Sequence, residues 1–245
     1  MTNSPRESFS ERYARLWAEA VEPVRRGEVR PDPLLARRMP DQRRGLTVLA
    51  RPSNTIRQSV GDFLQTLRAV DPHQYYYDPA ELHVTLLSLF TATIEVDRYL
   101  IHYKKYAEAV RAALAGVPAF EIEFTGVTLT LEAVMIQGYP QGTILNDTRE
   151  ALRRELRARG LTEGLDARYR LETAHMTVVR YRAHLSDIVT YVHMLEQFRQ
   201  HPFGRTSVQE LNLVSNDWYM SKSVVEVRER YQLSSGSVPQ ASQPA

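Results

Sequence analysis

The sequence predicts an α+β fold built by duplication: a bilobal, pseudo-symmetric chain, each lobe a mainly antiparallel sheet with helices on its outer face, and an active cleft between the lobes. Three observations predict it. Apolar runs of strand length alternate with amphipathic helical stretches. The order strand, helix, strand, helix, strand over residues 46–131 recurs over residues 133–214, with one further strand appended. The middle strand of each set carries a histidine and a threonine two positions apart, in Leu82-His83-Val84-Thr85-Leu86-Leu87 and in Ala174-His175-Met176-Thr177-Val178-Val179.

The elements follow in order. Phe9, Tyr13, Leu16, Trp17, Ala20, Val21 and Val24 lie on one helical stripe, so residues 9–24 read as a helix. Residues 27–45 read as a loop with three prolines and the arginines Arg30, Arg37, Arg38, Arg43 and Arg44, a solvated connection or a grip for phosphate. Residues 46–50 are a short apolar strand stopped by Arg51-Pro52. Ser53 or Asn54 caps a helix whose buried side is Ile56, Val60, Phe63, Leu64, Leu67 and Val70, ended by Asp71-Pro72. Tyr75-Tyr76-Tyr77 and a turn at Asp78-Pro79 lead into the first histidine strand, which runs through Phe90. Leu100, Tyr103, Ala107, Val110 and Leu114 mark a helix closed by Gly116 and Pro118, and residues 120–131 alternate as a half-exposed strand.

The pattern then restarts. Residues 133–136 form an apolar strand stopped by Gly138-Tyr139-Pro140, and Leu145, Leu152 and Leu156 line a helix ending at Gly160. The second histidine strand ends in Val179-Arg180-Tyr181. Leu185, Ile188, Val189, Val192 and Leu195 mark a helix that stops before Pro202, and residues 208–214 and 224–227 read as strands joined by a polar loop. The tail from Ser234 has nothing to bury and is expected to be disordered. The domains are therefore an N-terminal helix and Arg-rich loop (1–44), a first lobe (45–132), a second lobe (133–233) and a tail (234–245).

On a strand, His and Thr two apart point to one face while their neighbours point to the other. A single His-x-Thr flanked by apolar residues is expected by chance at about 0.1 copies, so two copies fall below about one in a hundred. Placement at the same point of two structural repeats lowers that again. Two such pairs supply two imidazoles and two hydroxyls to one shared cleft.

These residues, His83-Val84-Thr85-Leu86 and His175-Met176-Thr177-Val178, one set per half of a duplicated chain, resemble the two-histidine (2H) phosphoesterase superfamily. Its members include bacterial RNA 2',3'-cyclic phosphodiesterases, once named 2'-5' RNA ligases, and eukaryotic cyclic nucleotide phosphodiesterases. The resemblance covers roughly residues 45–230 and includes Arg180, since a basic residue often follows the second motif in the bacterial RNA-type members. The first motif continues Leu87-Ser88-Leu89-Phe90, where the RNA-type branch commonly has a glycine.

The resemblance implies hydrolysis of a 2',3'-cyclic phosphate on a nucleotide or RNA terminus, with His83 as proton donor and His175 as acceptor. Imidazole suits both tasks because its pKa lies near neutrality. Thr85, Thr177 and Arg180 are the candidate phosphate contacts, the hydroxyls donating to non-bridging oxygens. Arg180 has the opposite strand parity from His175, so it reaches the cleft only where the strand bends or ends. Tyr139 and Tyr181, at strand ends, are candidates for stacking on a base, and Tyr75, Tyr76, Tyr77, Trp218 and Tyr219 offer further aromatic faces. Gly138 suits a turn, and no glycine-rich phosphate loop is present.

No cofactor is called for. Zinc sites favour closely spaced histidines or cysteines; His184 and His193 fall on opposite sides of a helix, and His73, His102 and His201 have no ligand spacing. The chain has 245 residues, no cysteine, 43% hydrophobic and 24% charged residues, and a net charge of +2. These values fit a globular protein of a reducing compartment, expected to be cytoplasmic, with a mildly basic surface open to an anionic ligand. No apolar run reaches membrane-spanning length and the start lacks a secretory pattern, so no membrane is expected, and no obligate protein partner is inferred. The alternatives from other classes are a non-catalytic module that binds RNA ends or nucleotides, and an enzyme of the same type acting on 2'-5'-linked oligonucleotides or cyclic dinucleotides.

Overall fold

The computed structural model describes residues 7–167 and 169–235. Helix α1 (Phe9–Arg25) opens on a reciprocal cap, in which Ser8 accepts from the Glu11 amide and Glu11 accepts from the Ser8 amide. It buries Tyr13, Ala20, Val21 and Val24 from the expected stripe. The Arg-rich segment is not a bare loop. Asp32 caps a short helix α2 (Pro33–Ala36), and the amides of Arg30 and Asp32 donate to Leu131 and Tyr181, tying the segment across strand ends.

Then come β1 (Arg44–Ala50), α3 (Asn54–Val70, capped by Ser53), β2 (Tyr75–Tyr76) and β3 (Val84–Thr93). Short α4 (Asp97–Leu100), α5 (Tyr103–Leu114) and β4 (Phe120–Leu129) complete the first unit. The second holds β5 (Ala133–Pro140), α6 (Ile144–Ala158), β6 (Met176–Arg180), α7 (Ile188–Gln197), β7 (Pro202–Val208) and β8 (Glu210–Asn216), followed by β9 (Glu226–Gln232).

The strands form two sheets, of order β3-β1-β8-β9 and β2-β6-β5-β4-β7, and every strand pair in them is antiparallel. The α+β class is as expected, but the sheets do not follow the division at residue 132. The last strand of the first unit, β4, lies beside β5, and the last of the second, β8, lies beside β1. Residues 45–132 therefore contribute β2 and β4 to the second sheet, and residues 133–233 contribute β8 and β9 to the first. The exchange is itself pseudo-symmetric: β3-β1-β8 and β6-β5-β4 have the same origin within their units. Helices α5 and α6 pack together beside β3 and β9, while α3, α7 and α1 pack against β7, β4 and one another.

Alternation sorts the first sheet's faces. Leu46, Val48 and Ala50 enter the main core, whereas Leu49 joins a separate small cluster with Val214 and Met220. Several expectations need correction. Residues 208–214 are not one strand, because the chain leaves one sheet at Val208 and enters the other at Glu210. β5 runs on through Gly138 to Pro140, since Gly138 lets the strand approach a neighbour: a Cβ there would lie 2.0 Å from the Ala174 carbonyl oxygen. Asp187 caps α7 at Ile188, leaving Val189 off the Tyr191, Val192 and Leu195 face and 81% exposed, with Leu185 and His184 before the helix. Ser234 is ordered by backbone bonds to Val117 and Ala119, and the tail from 236 lies outside the described residues. Among the described residues no helix is long and apolar enough to cross a membrane.

Candidate active site

The two histidines stand at the mouths of equivalent strands, His83 just before β3 and His175 just before β6. A β-bulge follows each threonine. In the β1–β3 ladder Leu49 pairs with Thr85 and Val48 with Leu87, skipping Leu86; in the β5–β6 ladder Met135 pairs with Thr177 and Val134 with Val179, skipping Val178. Two successive residues are buried at each bulge, Leu86-Leu87 and Val178-Val179, and the alternation resumes one residue late. The residue three after each threonine thus returns to the threonine's face. In β6 that residue is Arg180, which removes the parity objection to its reaching the cleft. In β3 it is Ser88, whose hydroxyl lies 3.4 Å from that of Thr47.

The imidazoles are oriented differently. His83 Nδ1 lies 2.8 Å from the Glu81 carbonyl oxygen, which only accepts, so the proton sits on Nδ1 and Nε2 is the free nitrogen of the neutral ring. His175 Nδ1 lies 2.7 Å from the Thr173 hydroxyl, which can donate or accept, so either tautomer is satisfied. Burial pushes His83 down to about 4, opposed by the Glu81 carbonyl and reinforced by Arg51 and Arg180. Burial also pushes His175 down to about 3, with further contributions from Arg149, His83 and Arg180. Both rings are therefore neutral in the free protein at pH 7. Each histidine feels Arg180, and His175 feels His83, so the three share one electrostatic neighbourhood although their strands belong to different sheets.

Arg180 Nε donates to the Tyr77 hydroxyl at 3.0 Å, and its guanidinium lies 5.3 Å from the centre of the Trp218 ring, which Arg43 also approaches, at 5.2 Å. Arg43 thus reaches the site from the Arg-rich segment, held by a two-point ion pair with Asp41. Arg30 and Arg44 are used elsewhere, on Glu132 and on local carbonyls. Thr85 and Thr177 are half-buried, and among the described residues neither hydroxyl has a protein partner.

Two of the aromatic candidates turn away. Tyr181 is 0% exposed, packed on Tyr191 with its hydroxyl unpartnered, so it cannot stack on a base. The bulge that turns Arg180 inward turns Tyr181 into the core. Tyr139 bonds Gln137 and sits edge-on to Tyr13 at 5.5 Å, so it faces α1 rather than the histidines. Tyr76 is also buried, its hydroxyl donating to the Asp71 carbonyl, while Tyr75 packs between Tyr77 and Tyr219 at the rim.

The residues that hold the site together were not among the candidates. Arg149 of α6 is 1% exposed and donates to the carbonyls of Thr85 (2.9 Å), Leu86 (2.9 Å) and Thr173 (2.7 Å), joining the two motifs through one guanidinium. Burial lowers it to about 10, leaving it charged at neutral pH. Its signal was its place at i+4 from Leu145 on the apolar stripe, where Leu152 and Leu156 follow. Arg51 donates to the carbonyls of Ala80, Glu81 and Leu82 and so steadies the turn that orients His83. The Tyr13 hydroxyl accepts from the amides of Gly138 and Ala174 and donates to the Gly138 carbonyl, which makes α1 a buttress of the second motif. Among the described residues no group of three or more His, Cys, Asp or Glu could hold a metal ion.

Chemically, the arrangement offers two neutral imidazoles, two hydroxyls without a protein partner and the half-buried Arg180 in one electrostatic neighbourhood. That set can bind a phosphate group and exchange protons with it. No curated protein matches the chain. Among solved structures, TT0787 of Thermus thermophilus superposes with a TM-score of 0.55 at 18% identity, covering 79% of this chain and 100% of that one. E. coli LigT complexed with 3'-AMP superposes with a TM-score of 0.50 at 17% identity, covering 78% of this chain and 98% of that one. At such identities the likeness is one of fold. The family model described as the 2'-5' RNA ligase superfamily matches residues 56–218, a segment that contains both histidine motifs and Arg180. The chain therefore belongs to the 2'-5' RNA ligase superfamily, the two-histidine phosphoesterases.

Proposed function

We propose that this phosphoesterase hydrolyses a 2',3'-cyclic phosphate on a nucleotide or RNA end to a phosphomonoester, without a metal ion, using His83 and His175 as paired acid and base. The observation that carries the reading is that Arg149 donates to carbonyls beside both motifs, those of Thr85, Leu86 and Thr173, while Arg180 bears electrostatically on both histidines and His83 on His175. In this reaction a water attacks phosphorus and passes its proton to neutral His175. The bond from phosphorus to one ribose oxygen breaks, and that oxygen takes the proton carried by His83. Thr85 and Thr177 donate to the non-bridging oxygens, and Arg180 offsets their growing charge. Fixing Nδ1–H of His83 on the Glu81 carbonyl leaves Nε2 for the ribose oxygen. LigT, solved with 3'-AMP, supports a nucleotide as the bound group.

The test is turnover of 2',3'-cyclic mononucleotides in EDTA by the intact chain and by His83→Ala and His175→Ala. Each variant is expected to lose on the order of 100-fold to 10,000-fold in kcat. Wild-type inactivity, or full activity in either variant, would overturn the reading. Tight binding of the cyclic phosphate without product would identify a binding module instead.

A further inference from the structure

The inner face of the first sheet does not end at the histidine. Ladder pairs carry the row from Thr85 through Leu49 of β1 and Asn212 of β8 to Arg230 of β9, and the parallel row from Ser88 through Thr47 and Val214 to Val227. Arg51 continues β1 on the same parity, one step beyond the Ala50–Val84 pair and therefore opposite His83. A groove of about 400 Å³ opens over the far part of these rows, lined by Arg51, Arg57, Asn212, Val214, Val227 and Arg230 among others.

Its charge is one-sided. Glu210 is the one acidic residue of the lining, and it accepts from Asn212 and Gln232 and lies 3.9 Å from Arg230. Among the described residues, Arg51 and Arg57 are in ion pairs with no carboxylate. Arg51 gives Nη1 to three backbone carbonyls and has the Glu81 carboxylate near enough to favour its charge without a direct ion pair, and Arg57 Nε is buried with no hydrogen-bond partner among the described residues. The two cations stand near enough for Arg57 to disfavour the charge on Arg51. Like charges held close repel, and an anion placed between them relieves the repulsion and offers Arg57 Nε the acceptor it lacks.

The second sheet is covered at the equivalent place. Its corresponding row runs Thr177, Met135, Thr128, and there Thr128 Oγ1 donates to the Tyr13 carbonyl of α1. Helix α1 lies across that row, so a substrate longer than one nucleotide has a path across the first sheet. Asn212 is two strand spacings, about 10 Å, from Thr85, so a strand anchored at the histidines must extend past its terminal nucleotide to reach the groove.

Resting on the hydrolytic reading above, we propose that this groove is a second anion subsite, which takes a backbone phosphodiester of the polynucleotide strand whose cyclic-phosphate end lies at His83 and His175. The substrate class is then an oligonucleotide rather than a free cyclic mononucleotide.

The test compares a 2',3'-cyclic mononucleotide with an RNA oligonucleotide ending in the same cyclic phosphate, using wild type, Arg57→Gln, Arg230→Gln and the double variant. Wild type should show a lower KM for the oligonucleotide. The double variant should raise that KM by about tenfold or more, and flatten its dependence on log salt concentration by about one per lost phosphate contact, with mononucleotide kcat and KM unchanged. Equal KM values for the two substrates in wild type, or equal effects of the substitutions on both, would overturn the subsite. Fluorescence anisotropy of a labelled 3'-phosphorylated RNA oligonucleotide on the same proteins gives binding without turnover. If no substrate is hydrolysed yet Arg57→Gln still weakens the oligonucleotide, the hydrolytic reading fails and the groove stands. If mononucleotide is hydrolysed and oligonucleotide binding is indifferent to both arginines, the groove fails alone.

Discussion

Anion binding at this site should be coupled to uptake of a proton. In the free protein both imidazoles are neutral, with His83 pushed down to about 4 and His175 to about 3 by burial and by the arginines around them. General acid catalysis needs one of them protonated once the phosphate is in place. Carrying a proton at pH 7 on a group whose pKa is about 4 costs about 4 kcal/mol. A phosphate anion about 4 Å from the ring contributes about 4 kcal/mol at an effective dielectric constant of about 20. The two terms nearly cancel, so the bound anion should bring the first imidazole back to the neutral range. His83 should take that proton, because His175 is held lower by Arg149 as well. Sulfate, whose charge is constant over this range, is the probe. Its affinity should rise towards tenfold per pH unit between pH 7 and pH 5. Calorimetry near pH 6.5 in two buffers of different ionisation enthalpy should give uptake approaching one proton, absent in a His83→Gln/His175→Gln variant. Equal affinity at pH 5.5 and 7.5 with no proton uptake would refute the coupling and the acid role that depends on it.

Three other outcomes follow from the same contacts. Arg149→Met takes the charged donor from the Thr85, Leu86 and Thr173 carbonyls in the interior and should lower stability by about 3 kcal/mol, read from the urea midpoint; an unchanged midpoint would mean that the guanidinium does not join the motifs. Tyr181→Phe removes a buried hydroxyl that has no partner, so stability should hold or rise by about 1 kcal/mol with turnover intact, and lost turnover would restore a substrate role for Tyr181. Because the folded pKa of both histidines is depressed, the unfolded chain binds protons from about pH 6.5 that the folded chain refuses until lower pH. Stability is therefore fullest above pH 6.5 and should fall by on the order of 1 kcal/mol per pH unit per histidine between pH 6 and 5; denaturation curves of the double His→Gln variant should be flatter in that window.

Much of the architecture was legible because it is written in local periodicity. The stripes of α1 and α3, the apolar run of β1 and the repeated order of elements need only a knowledge of which residues alternate and which recur every third or fourth place. Boundaries failed where the physics is not local. The split at Gln209 depends on which sheet accepts each strand, and β5 extends through Gly138 because a neighbouring carbonyl must pass where a side chain would otherwise stand. Tyr139 and Tyr181 were placed by their position at strand ends, and end position does not tell which face a ring meets.

Sequence alone determined the α+β class, the duplication and the two histidine–threonine pairs, since these are carried by residue type and spacing. Tertiary structure decided how the halves are joined and which side chains reach the site. Long-range pairing, which no local window contains, moved β4 and β8 into the opposite sheets. A one-residue slip in register brought Arg180 in and sent Tyr181 out, because side-chain direction on a strand has a period of two. Arg149 and Tyr13 gained their roles only when distant backbone carbonyls and amides arrived within hydrogen-bonding distance of them.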